Sequence, residues 1–131
     1  MDEKLQKVIK ESSFKQLPED FYYLKAKSVP SGSHFLIAKD DDEITVVTSR
    51  DKVNQVEIKG QNKNLYTFFA LSPTVPFYTV GFLAAVSSAI AAGDMNILIV
   101  STFSKDYVGV QKEHASKARK ALMSLGLQEK V

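Results

Sequence analysis

Ser101, Thr102, Lys105 and Asp106 stand close together in the stretch STFSKDYVGV, between two apolar runs. They place one acid and one base beside hydroxyls in a segment that is otherwise neutral or apolar. Asp106 can accept hydrogen bonds from an ammonium group, and Ser101, Thr102 and the backbone of Phe103 can add others. A second stretch, SPTVPFYTVG, leads into an uncharged helical pattern. The first N–H groups of a helix have no partner within it and attract a carboxylate. Here they fall around Thr79, Val80, Gly81 and Phe82, and Gly81 lets a ligand approach the backbone closely. Carboxylate donors with an ammonium acceptor are what a small zwitterion requires of a site. On a purely structural reading, Ser101 and Thr102 end a strand, Lys105–Asp106 is a turn, and Gly81 serves helix–sheet packing.

No other constellation carries chemistry. His34 and His114 are the only histidines, and neither has a Ser/Asp pattern that would build a triad. There is no P-loop and no GxGxxG. An enzyme would need an acid–base pair with perturbed titration in the same cleft, and only Asp106 offers itself there. The run Asp40, Asp41, Asp42 lacks the alternating ligands, glycine and distant glutamate of a calcium loop, so solvated turn acids are expected. Without cysteines, disulfides, thiolate zinc sites and thiol catalysis are excluded. No catalytic residue, metal or cofactor is expected.

The 131 residues suit one compact domain with a real core. A net charge of +2 is too small to argue for nucleic acid, and the lysines and Arg119 near residue 117 read as a solvated helix face. The charged N-terminus lacks the apolar core of a signal peptide, so a cytoplasmic protein is expected. Residues 65–93 carry no charge, but Pro73 and Pro76 cut the run and hydroxyls dilute it, so a buried helix is expected rather than a membrane span.

The elements follow from periodicity. Residues 2–16 read as an amphipathic helix with Leu5, Val8 and Ile9 on one face, ended by Pro18. FYYLKAKSV, HFLIAK, EITVVTS and VEIKG read as strands, with the aspartate run as a hairpin tip. LYTFFALS is an almost wholly apolar strand. VGFLAAVSSAIAAG is a helix stopped by Gly93, MNILIVSTF and YVGVQ are strands, and KEHASKARKALMSLG is a helix capped by Gly126. This order implies an α+β sandwich, with helices on one face of an antiparallel or mixed sheet. LQEKV is short and polar for a closing strand, and EITVVTS is the best donor of a missing one.

Residues 65–127 resemble the ACT domain, closest to the subfamily of tandem-ACT bacterial and archaeal proteins and the CASTOR arginine sensors. Three stretches carry the resemblance: VGFLAAVSSAIAAGDMNI, STFSKDYVGV, and DDEITVVTSRDKV upstream. With the last, it covers about residues 21–127. It implies a ferredoxin-like βαββαβ sandwich of two interleaved halves, the first degenerate because SVPSGS is too short for a crossover helix. The expected organisation is a helical appendage over 1–18, a degenerate half over 19–62 and a complete half over 63–131. The resemblance implies a stand-alone, non-catalytic regulatory protein that binds an amino-acid effector, forms a homodimer and signals to a partner enzyme. Its effector site would comprise Thr79, Val80, Gly81, Phe82, Asn96, Ser101, Thr102, Phe103 and Asp106. Thr74, Pro76 and Tyr78 depart from the family pattern, and Tyr78 would narrow the pocket. The alternative is a ligand-free assembly or adaptor module, with Ala84, Ser87, Ser88 and Ala91 allowing close helix approach.

Overall fold

A computed structural model describes residues 1–73 and 80–131 of the chain. Thr74, Pro76, Tyr78 and Thr79, named above, lie outside the described residues. The chain forms two compact units, one of residues 1–17 and 68–131, the other of residues 18–67.

The first unit begins with helix α1 (Glu3–Glu11), capped by Asp2, whose Oδ1 accepts the Leu5 N–H at 2.7 Å. The helix stops at Ser12, which is already extended, and strand β1 (Ser13–Gln16) follows at once. The single long helix expected over 2–16 is therefore corrected. Two serines are weak helix formers, and Phe14 gains complete burial as a strand residue. Strand β6 (Tyr66–Ser72) runs antiparallel to β1, with Phe14 opposite Leu71. Helix α2 (Phe82–Ala92), the hairpin β7 (Leu98–Ser101) and β8 (Asp106–Gln111), helix α3 (Ala115–Leu125) and β9 (Gln128–Lys130) complete the unit. Its strand order is β9-β1-β6-β8-β7, with β1 and β9 parallel.

The helices share one face of this ladder. Val8 and Ile9 of α1, Val86 and Ile90 of α2, and Ala118 and Leu122 of α3 pack with Phe14, Phe69, Leu71, Val108 and Val110. The rings of Phe14 and Phe69 meet edge to face, 5.9 Å between centroids. Residues 1–17 thus supply a strand and part of the core, where an appendage was expected. The inserted strand is β1, not EITVVTS, and the polar LQEKV is itself the edge strand β9. Its place is held by Gln128 N–H to the Ser12 carbonyl at 3.0 Å.

The second unit is an antiparallel ladder. β2 (Phe21–Ala26) pairs with β4 (Ile44–Ser49) and with β5 (Ile58–Gln61), and β3 (Leu36–Lys39) pairs with β4. Leu24, Ala26, Val46 and Val56 form its core on one face, where the 3₁₀ turn Arg50–Gln55 brings Val53 against them. Residues 27–35 join β2 to β3 without a helix, as the shortness of SVPSGS leads one to expect.

Candidate functional site

The β7–β8 hairpin places Ser101 opposite Asp106, and Ser101 Oγ donates to Asp106 Oδ1 at 2.6 Å. The turn between them closes with the Thr102 N–H on the Lys105 carbonyl at 2.8 Å, and the Thr102 hydroxyl reaches the same oxygen at 3.3 Å. Phe103 sits on the tip, 95% exposed. The Asp106 carboxylate is half-buried, and Ser101 is its sole hydrogen-bond donor among the described residues. Its second oxygen therefore remains an acceptor for an incoming cation.

Hydrogen-bonded pairs alternate along an antiparallel hairpin. The 102–105 pair therefore fixes Val100–Tyr107 and Leu98–Gly109 as the inward-bonding pairs. The backbone groups of Ile99 and Ser101 point to the outer edge of β7, which pairs only with β8 among the described residues. Ile99 is 44% exposed. This free edge had not been expected from the sequence; the shortness of the apolar run before the hairpin was its only signal.

Gly81 is the N-cap of α2 at φ 90°, in the left-handed region that favours glycine. Its carbonyl accepts the first helical bond, from Ala85 N–H at 2.9 Å. A Cβ there would come within 3.2 Å of Leu5 Cδ2, so Gly81 also lets α1 approach α2. Val80 is 91% exposed, whereas the Phe82 ring is buried in the core and leaves only its backbone N–H for a ligand. A helix between two strands returns the chain, so β6 and β7 run in the same direction. The N-terminus of α2 and the hairpin tip therefore share one end of the first unit. Asn96, exposed between α2 and β7, stands at the opposite end, on the order of 15 Å away by strand rise. The structure does not bring it to the tip.

The remaining polar candidates have structural partners. His34 Nε2 donates to the Ser31 carbonyl at 2.8 Å, and its Nδ1 meets the hydroxyl of the fully buried Thr48 at 2.8 Å. His114 lies in the 3₁₀ turn before α3. Asp40 Oδ1 accepts the N–H groups of Asp42 and Glu43 at 2.9 and 2.8 Å, and those bonds hold its carboxyl below the usual range. Among the described residues no group of three or more His, Cys, Asp or Glu side chains is placed to hold a metal ion. Among them, too, no helix is long and apolar enough to cross a membrane.

No protein-family model matches the chain, and no curated protein matches it by sequence. Solved structures do match. One is a Vibrio cholerae protein of unknown function, described as a possible transport protein. It has 19% identity and a TM-score of 0.76, with 94% of this chain and 96% of that one covered. Another, from Agrobacterium tumefaciens, has 20% identity and a TM-score of 0.68, covering 91% and 92%. The ligand-free regulatory subunit of Thermus thermophilus aspartate kinase has 11% identity and a TM-score of 0.63, covering 87% and 95%. At such identities the likeness is one of fold, and the fold is an ACT-like, ferredoxin-like α+β sandwich.

Proposed function

We propose that this chain is an ACT-type regulatory module that binds a small effector, an amino acid, and passes the signal to a partner protein. The observation that carries this reading is the Ser101–Asp106 pair, set at the same end of the unit as the Gly81-led N-terminus of α2. The effector's ammonium would meet the free oxygen of Asp106, with Thr102 and Phe103 alongside. Its carboxylate would meet N–H groups around Gly81 and Phe82 at the start of α2. The likeness to regulatory portions of aspartate kinases supports the reading through the shared fold. The free edge of β7 would serve a homodimer, because Ile99 and Ser101 are two residues apart and can pair antiparallel with the same residues of a second copy. Membership of the tandem-ACT subfamily belongs to this same proposal.

The test is thermal melting against each proteinogenic amino acid, repeated on Asp106→Ala. One amino acid is expected to raise the melting temperature of the wild type and not of the variant. At about 100 times its dissociation constant it would add about 2.7 kcal/mol of stability. No shift with any of them would overturn the effector reading. It would leave a ligand-free assembly module, which the exposed Val80, Ile99 and Phe103 and the charge-free α2 favour.

A further inference from the structure

At the end of the second unit, where β2, β3, β4 and β5 meet, a cleft of about 460 Å³ lies outside the site described above. The ladders explain its floor. Lys39 pairs with Ile44 and Ile44 with Ala26, so these three lining side chains share one row on one face. The register between β2 and β5 slips at Lys25/Ala26, and Lys59 is the extra residue. Such a bulge re-aims a side chain, and Lys59 lines the cleft together with Lys27 and Lys39.

Charge in the cleft is partly spoken for. Lys25 Nζ stands 3.6 Å from Glu43, and Asp40 is occupied by backbone N–H groups of its own turn. The ammonium groups of Lys27, Lys39 and Lys59 have no carboxylate within 4.0 Å among the described residues, although Asp41 and Asp42 line the same cleft. Lys39 of β3, Lys59 of β5 and Lys27, just past the end of β2, thus line one cleft with two carboxylates of one hairpin tip and the apolar pair Ala26 and Ile44.

We propose that this cleft binds a small acidic zwitterion, a molecule with one ammonium and two anionic groups. The anionic groups lie among Lys27, Lys39 and Lys59, and the ammonium lies at the Asp41–Asp42 tip. Three free cations against two free anions match a ligand of that charge pattern, and all five groups are exposed to solvent. The site belongs wholly to the second unit and is independent of Asp106.

The experiment is an amide NMR titration of the full chain at low salt, where screening of exposed charges is weakest. Glutamate is the probe, and succinate is the control that lacks the ammonium. Glutamate is expected to shift the amides of Lys27, Lys39, Lys59 and Asp42 to saturation. Succinate should bind about tenfold more weakly, and Lys39→Gln combined with Lys59→Gln should weaken glutamate about tenfold as well. Asp106→Ala should leave these shifts unchanged, which separates this site from the effector site. Shifts that never saturate, a double variant that binds like the wild type, or equal binding of succinate would each overturn the proposal.

Discussion

Arg119 and Glu129 show how single residues fasten the end of the chain. A terminal nitrogen of Arg119 donates to Glu129 Oε1 at 2.8 Å and its Nε donates to the other carboxylate oxygen, joining α3 to β9. Two parallel bonds of this kind use the fixed fork of the guanidinium. The hydrogen bonds and charge of Arg119 hold the Glu129 carboxyl below its ordinary value of 4.5. A carboxylate whose folded value is depressed stabilises the fold fully above the unfolded value. That contribution is lost as pH falls through the folded value. Glu129→Gln should therefore lower the melting temperature at neutral pH, and the gap between variant and wild type should close on acidification below 4.5. A gap that stays constant through the acid range would show that the pair does not act through ionisation.

At the scale of elements, β1 decides how the first unit closes. It lies between β6 and β9, so β9 has no neighbour among the described residues without it. Phe14 and Ile9 bring fully buried side chains from the same N-terminal stretch. Removing residues 1–17 should therefore unfold the chain, whereas loss of an appendage would leave its melting curve intact. Far-UV circular dichroism of the truncated protein distinguishes the two, and native-like spectra with an unchanged melting temperature would refute this role for β1. The same stretch shows where the sequence is legible and where it is not. Helices α2 and α3 could be read because Val86 and Ile90, and Ala118 and Leu122, recur at helical spacing and glycines stop both helices. The β7–β8 hairpin could be read from its turn polarity, whereas the Ser101–Asp106 bond across it is a finding of the structure. β1 is four residues with one large apolar side chain, so alternation has too little to work on. Its strand state comes from pairing with β6, which is distant in sequence, and only the serine pair at 12 and 13 hinted that the helix stops. Asn96 enters the site only through the likeness of a turn, and residue type alone does not show that this turn lies at the far end of β7.

At the scale of the whole molecule, the chain enters the first unit, leaves it after Leu17 and returns at Phe68. The two crossing points are hydrogen-bonded neighbours, Leu17 N–H to the Phe68 carbonyl at 2.9 Å. Strand β6 begins in one unit at Tyr66 and ends in the other at Ser72. Cooperative unfolding is the expected behaviour of a chain of this length, as in most single domains under about 150 residues. Val46→Ala in the second core and Leu122→Ala in the first remove fully buried side chains. The leucine change should cost about 2–5 kcal/mol and the smaller valine change somewhat less. In urea, each variant should lower one shared midpoint, seen alike by far-UV circular dichroism and by tyrosine fluorescence, which draws on Tyr22, Tyr23 and Tyr66 of the second unit and Tyr107 of the first. Two separated transitions, each moved by only one of the variants, would mean that the shared strand does not couple the units. A ligand bound at the hairpin of the first unit could then not be felt in the second.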